Sequence, residues 1–314
     1  MGSSTSVVLA ALVANGAIAV MKFVGFLLTG SPSMLSETYH SISDTGNQVF
    51  LLIGIRYSGR DADRGHPFGY GKAQFFYAFL VSVLLFGIAG WESLKHGYDA
   101  VLHPAHAGGG SSFTLFGASI DPFYVNVVVL VGAIAFETYA LVKANAELQR
   151  QITEYEWAGI VEAFKKTSDV TTLTAFTEDA IALGGAAIAL VGIVLTRVTG
   201  NPIFDSASAV IIGLLLMGFA LALAWENKRL LIGESLPRDV EERLRETIRT
   251  HEGVVHVDRF RTVFFGPGNV LVTADVSFDA DTDTENIDDD ITAIEEELRR
   301  VDGRVGMVYI EPEL

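Results

Sequence analysis

SETYHSISDTGNQ, residues 36–48, places His40 and Asp44 four residues apart inside an apolar segment that runs from Ser33 to Ile55. On a helix that spacing stacks both side chains on one face, close enough for an imidazole nitrogen and a carboxylate oxygen to reach a single ion. The alternative is an intrahelical His-to-Asp hydrogen bond that serves packing. An ionisable group inside a hydrocarbon core costs about 2.5–3.5 kcal/mol even on a lenient insertion scale. The meaning of the pair therefore turns on whether its segment crosses a membrane.

Half of the 314 residues are hydrophobic and 19% are charged, too apolar a mixture for an ordinary soluble enzyme of this size. Windows of roughly 20 residues, the length that crosses a hydrocarbon core of about 30 Å, recur along the chain. They run from Ser6 to Thr29, Ser33 to Ile55, Ala73 to Trp91, Phe123 to Val142, Thr171 to Thr196 and Asp205 to Trp225. The first has no basic leader and no small-residue cleavage site, and it carries Lys22 near its far end, so it reads as a retained span and not a signal peptide. The expected fold is an α-helical membrane protein with six transmembrane helices over residues 1–231, followed by a soluble domain over 232–314.

Basic residues set the expected orientation. Arg56, Arg60, Arg64 and Lys72 lie between the second and third spans; Lys143, Arg150, Lys165 and Lys166 lie between the fourth and fifth; Lys228 and Arg229 follow the sixth. The opposite connections hold only Lys95 and Arg197. By the positive-inside rule both termini are cytoplasmic. The net charge of −16 comes mostly from acids beyond Leu236, as in DADTDTENIDDD (279–290), which reads as a solvated acidic face with a cation-binding surface as the alternative. Such charge suits a high-salt cytoplasm, where screening removes self-repulsion. With no cysteine in the chain, any metal must be held by His and carboxylate.

In the tail, Pro237 suits a helix start and Gly253 an end, so Arg238 to His251 reads as a helix with Val240, Leu244 and Ile248 on one face. VVHVDRFRTVFF (254–265) and NVLVTADVSFD (269–279) read as strands joined by a hairpin at GPG. A helix from Thr284 to Arg300 and a strand VGMVYIEPE complete an α-β-β-α-β, ferredoxin-like α+β domain. Its uncovered sheet face is available for pairing with a second copy. PAHAGGGSSFTLFGASI (104–120) reads as a flexible external loop in which His103 and His106 are solvated, loose metal binding being the alternative. AELQRQITEYEWAGIVEAFKKTSDV, from Ala146 to Val170, reads as an amphipathic surface helix and a turn.

The fifth span holds a second oddity, TAFTEDAIALGG (174–185), with Glu178 and Asp179 adjacent. At 1.5 Å per residue, Asp44 lies roughly 16 Å from the outer end at Ser33 and Asp179 roughly 15 Å from the inner end at Asp169. Two acids at one depth repel unless a cation or proton sits between them. His40, Asp44 and Asp179 thus form a candidate site for a borderline divalent cation. Ala175, one turn before Asp179, donates nothing; the fourth ligand is Glu178, about 100° away on an ideal helix, or Asn47, or water. Glu137 and Glu92 read as pairing or interfacial groups. In the loop GRDADRGHPFGYGKAQ (59–74), Asp61, Asp63 and His66 form either an exposed metal site or a turn neutralised by Arg60 and Arg64. No phosphate-binding glycine loop, Gly-x-Ser-x-Gly or His-Glu-x-x-His occurs, and neither an organic cofactor nor nucleic acid is expected.

SPSMLSETYHSISDTGNQ (31–48), HPFGYGKAQFFYAF (66–79) and TGNPIFDSASAVIIGLLL (199–216), in that order and with the α-β-β-α-β tail, resemble the cation diffusion facilitator family over nearly the whole chain. TEDAIALGG followed by TGNPIFDS is similar to the branch of zinc transporter 9 type. The resemblance implies a homodimer in a lipid bilayer that exports a divalent cation, Zn²⁺ first among Zn²⁺, Mn²⁺, Fe²⁺ and Co²⁺, in exchange for protons. It puts the transport site on His40, Asp44 and Asp179, with Ala175 departing from the family's His or Asp. It carries a loop site onto Asp63 and His66, with Tyr70 where a His is common, and a tail site onto Asp258, Asp275, Glu311 and Glu313. No catalysis is implied, and the host membrane would be the plasma membrane. The alternative is a non-transporting, membrane-anchored metal-binding or regulatory protein of the same fold.

Overall fold

The computed structural model describes residues 2–103, 113–115, 118–154, 157–166, 170–280 and 282–313. The chain divides into two compact units, one of residues 1–53 and 77–226 and the other of 54–76 and 227–314.

The first unit is helical. Its elements are α1 (Gly2–Thr29), α2 (Pro32–Ser58), α3 (Ala73–Leu84), a π turn (Leu85–Gly90), α4 (Trp91–Leu102), α5 (Pro122–Glu154), α6 (Ile160–Lys166), α7 (Val170–Thr199) and α8 (Ile203–Ile232), with the ends of α2 and α8 and the start of α3 falling in the second unit. Five stretches among the described residues are long and apolar enough to cross a bilayer: Leu12–Thr29, Ala73–Leu102, Pro122–Glu154, Ala175–Thr199 and Ile203–Ile232. The second expected span is not among them. At 27 residues α2 has the length, but Glu37, His40, Asp44, Asn47 and Gln48 dilute its apolar content. The first half of this polar content turns inward, with Ser33, Ser36, Glu37, Thr38, His40 and Ser41 all buried, while Asp44, Asn47 and Gln48 are half-buried. Polar side chains hidden by neighbouring helices escape the cost of facing hydrocarbon.

The core of this unit gathers Met34 of α2, Leu85 and Ala89 of the π turn, Leu130 of α5, Ala186 and Ala189 of α7, and Ile212 and Leu216 of α8. Ala182, Ala186 and Ala189 repeat along one side of α7, and such small residues let backbones approach where hydrocarbon offers no hydrophobic drive to associate. A Cβ at Gly97 of α4 would come 2.6 Å from Val210 N, and one at Gly213 of α8 would come 2.6 Å from Leu94 N, so α4 and α8 touch backbone to backbone. The start of α2 is fixed by Asp205 of α8, which accepts from the Ser33 hydroxyl and, at 3.3 Å, from its backbone N–H.

Two expectations change here. Part of the segment taken as a flexible loop forms a hairpin, β1 (Phe113–Leu115) antiparallel to β2 (Ala118–Ile120). His106 lies outside the described residues. The amphipathic stretch after the fourth span is the continuation of α5 to Glu154 followed by the short α6.

In the second unit α9 (Arg238–Arg249) precedes β3 (Val254–Gly266), β4 (Asn269–Phe278), α10 (Thr284–Val301) and β5 (Val305–Glu313). The sheet order is β3-β4-β5, with β3 antiparallel and β5 parallel to β4; the parallel pair requires the crossover that α10 supplies. Val240, Leu244 and Ile248 of α9 and Ile294 and Leu298 of α10 are buried with Val270, Val272, Ala274 and Val276 of β4. The alternate β4 residues Leu271, Thr273, Asp275 and Ser277 are half-buried on the open face. Asp283 caps α10, accepting from Asn286 N at 3.0 Å. The 54–76 segment, the end of α2, the loop after it and the start of α3, belongs to this unit, with Phe68 and Lys72 on the ring of Phe265, at 5.2 Å between centroids and 4.9 Å from Nζ.

Candidate metal centre

Glu37, His40, Asp44 and Asn47 fall at i, i+3, i+7 and i+10 of α2 and so form one polar stripe. His40 is 1% exposed, and its Nε2 lies 3.5 Å from Asp44 Oδ2. Neither ring nitrogen has a hydrogen-bond partner. A buried imidazole left without partners carries a desolvation cost of about 1–3 kcal/mol, and buried polar atoms of this kind call for an explanation. An imidazole nitrogen kept free of hydrogen bonds beside a carboxylate is what a borderline divalent cation requires of its ligands.

Asn47 donates from Nδ2 to Glu178 Oε1, so the two residues weighed for a fourth ligand are bonded to each other. That bond joins α2 to α7 and turns Glu178 toward the His40 helix. Asp179 follows it, half-buried on α7. The expected constellation thus appears as two pairs, His40 with Asp44 and Asn47 with Glu178, beside Asp179. Among the described residues no three His, Asp or Glu side chains are grouped closely enough to hold a metal ion together.

Beside the pairs stands a contact that sequence reasoning missed. Lys22 Nζ of α1 lies 2.7 Å from Glu37 Oε2, both side chains fully buried. The Lys22 charge also acts on Asp44 and Glu137, and Glu137 of α5 is itself buried. A signal was present: Glu37 lies one turn before His40 on the same stripe, and Lys22 interrupts an apolar window.

The loop residues are engaged in a local turn. Asp63 Oδ1 accepts from the backbone of Gly65 and His66, each at 2.8 Å, and Oδ2 accepts from Tyr70 Oη at 2.7 Å. These bonds, the Tyr70 one foremost, hold the Asp63 carboxyl below its ordinary value. His66 Nδ1 is 3.7 Å from Asp63 Oδ1, and its ring packs on Tyr70 with 4.0 Å between centroids. Asp61 is exposed. In the tail, Asp275 pairs with Arg259 at 3.6 Å and Asp258 accepts from Ser277 Oγ at 2.8 Å. Strand register sets Glu311 beside Asp275 and Glu313 beside Ser277, so the four tail carboxylates share the open face of the sheet.

Residues 8–232 match the family described as the cation efflux transmembrane domain. The chain is 29% identical over 297 residues to the mitochondrial proton-coupled zinc antiporter SLC30A9 of Xenopus laevis, covering 94% of this chain and 51% of that protein. It is 30% identical over 273 residues to the human protein of the same name, covering 87% of this chain and 46% of that one. Magnetosome protein MamM of Magnetospirillum gryphiswaldense is 25% identical over 258 residues, with 81% of this chain and 71% of MamM covered. The chain spans about half the length of the zinc antiporters it matches.

Proposed function

The chain belongs to the cation efflux, or cation diffusion facilitator, family of transporters, and we propose that it exports a divalent metal cation from the cytoplasm in exchange for protons. Zn²⁺ is the first candidate, supported by the names of the antiporters it resembles, with Mn²⁺, Fe²⁺ and Co²⁺ behind it. The observation that carries the proposal is the buried His40 imidazole beside Asp44, with neither ring nitrogen hydrogen-bonded.

In this account His40, Asp44 and Asp179 take the cation in the membrane, with Asn47 holding Glu178 next to it. Protons compete with metal for imidazole and carboxylate alike. Loading from the cytoplasm therefore releases protons, and protonation from the far side releases the metal. One site couples both gradients. Since no three ligands are gathered among the described residues, binding must draw α7 and α2 together, the differential contact that an alternating carrier needs.

α2 serves as the second of six spans, its polar stripe shielded by neighbouring helices, within a transport domain of residues 1–231. Both termini face the cytoplasm of a plasma membrane, as the basic connections favour, and the acidic charge suits a salt-rich cell. The 232–314 domain pairs two chains through its open sheet face, where Met307 is half-buried and Tyr309 exposed beside Leu271 and Thr273. Loop ligation by Asp63 and His66 and tail ligation by Asp258, Asp275, Glu311 and Glu313 require the bonds of those carboxylates to be exchanged for metal.

A non-transporting metal-binding protein of the same fold is the second reading, favoured by Ala175 where a ligand would stand. Zn²⁺ uptake into sealed vesicles under an imposed pH gradient tests the two: gradient-driven flux supports export, and tight binding without flux supports the second reading.

A further inference from the structure

A cavity of about 620 Å³ in the helical unit is walled by Phe26 of α1 and Leu35 of α2 on one side and by His96, Asp99 and His103 on the other. Gly30 and Pro32, at the α1–α2 turn, also border it, which puts it at the end of the unit where those helices meet. His96, Asp99 and His103 fall at i, i+3 and i+7, and Glu92 lies one turn before His96. Four ionisable side chains therefore line one face of α4 and its cap. All but Glu92 are exposed. Such a stripe turned toward acyl chains would be costly; toward a water-filled cavity it is not.

The stripe begins at the level of the His40–Asp44 pair. Tyr39, the residue before His40, stacks on His96 with ring centroids 6.1 Å apart and planes at 24°. His96 is thus level with the turn of α2 that carries His40. His103, seven residues on, lies about 10 Å farther along the axis, toward the α1–α2 turn. That end is opposite the basic connections.

We propose that this cavity is a binding vestibule for the divalent cation on the non-cytoplasmic side, in which His96, Asp99 and His103, with Glu92 one turn beyond the lined wall, hand the ion along α4 between the His40–Asp44 pair and bulk water. The proposal rests on the transport reading above. Imidazole and carboxylate are the donors that suit the same borderline metals as the central pair. No three of these groups are close enough to hold an ion together, and a conduit needs that weakness: binding must attract the ion and still let it leave. One- and two-ligand contacts do both.

The chain contains no cysteine, so Ala100→Cys places a single thiol in the cavity wall, and Tyr98→Cys places one off the stripe as a control. Full-length protein in sealed vesicles is labelled with a membrane-impermeant thiol reagent, with Zn²⁺ or Mg²⁺ as the probe ion. The expected result is that Zn²⁺, and not Mg²⁺, slows labelling of Ala100→Cys several-fold without affecting Tyr98→Cys. A His96→Ala, Asp99→Asn, His103→Ala background should remove that protection while its metal-free labelling rate and elution profile stay unchanged, which shows an intact fold. Zn²⁺ flux in that background should fall well below wild type. Labelling that ignores Zn²⁺, or protection and flux that survive loss of the stripe, would overturn the vestibule. Protection is read at equilibrium and needs no turnover. Protection in Ala100→Cys, together with absence of flux in the wild-type protein, would therefore overturn the transport reading and leave the binding vestibule standing.

Discussion

Lys22 Nζ stands 2.7 Å from Glu37 Oε2, and neither side chain reaches solvent. Removing one partner of such a pair strands a buried charge, which costs about 3–5 kcal/mol. Lys22→Met and Glu37→Gln, each alone, should lower the thermal unfolding temperature of the detergent-solubilised protein sharply. Lys22→Met combined with Glu37→Leu should recover most of the loss, because no charge remains to be compensated. Single variants as stable as wild type would show that the pair bears no structural weight.

Gly185 of α7 leaves the space that Glu37 occupies: a Cβ there would meet Glu37 Oε1 at 2.5 Å. A carboxylate end usually swings aside, but this one is held by Lys22 in a close-packed interior. Gly185→Ala should therefore destabilise the protein by about 1–3 kcal/mol, the range for overpacking, and Glu37→Gln should not add its full cost on top. Calorimetric unfolding of both single variants and the double variant measures the coupling. Strict additivity would contradict the contact.

The α9 stripe of Val240, Leu244 and Ile248, the strand pair around Gly266 to Gly268 and the His40–Asp44 pair were legible because each is local: a period or a four-residue spacing fixes the side-chain direction. The Lys22–Glu37 and Asn47–Glu178 contacts were not, since they depend on how α1 and α7 pack on α2, and a single sequence carries no register between helices. The hairpin of Phe113–Leu115 and Ala118–Ile120 was masked by the glycines before it. The fold of the tail was legible nearly whole; the candidate site was legible as residue types, and its division into two pairs was not.

Ala175 precedes Asp179 by one helical turn, so a ligand installed there would lie on the Asp179 face. Ala175→His should tighten Zn²⁺ binding by roughly 10–100-fold, on the order of the changes that follow from altering a metal site's support. Titration calorimetry of the purified variant reads this directly. Unchanged affinity would mean that the Asp179 face of α7 does not meet the cation.

At the C-terminal cap of α10, the Asp302 carboxylate accepts from Arg304 Nη2 at 2.6 Å and from Arg304 Nε and N, each at 2.9 Å. Partial burial pushes that carboxyl up, but the hydrogen bonds and charge of Arg304 outweigh it and leave the group below its ordinary value. A depressed folded value gives stability that is present above the unfolded carboxylate pKa and lost as pH falls through the folded one. Amide exchange around residues 302–305, corrected for its intrinsic pH dependence, should speed up below about pH 4 in wild type. Asp302→Asn should lack that step and cost about 1 kcal/mol at neutral pH. An identical acid step in the variant would assign it to another group.

The central claim is that one membrane site takes metal and protons in turn. Its most direct measurement is simultaneous recording of Zn²⁺ and pH signals in sealed vesicles containing the full-length protein, beside the Asp179→Asn variant. The account predicts Zn²⁺ movement accompanied by proton movement in the opposite direction, both driven by an imposed pH gradient and both abolished in the variant while its fold is retained. Zn²⁺ flux without proton counterflow, or undiminished flux in Asp179→Asn, would contradict it.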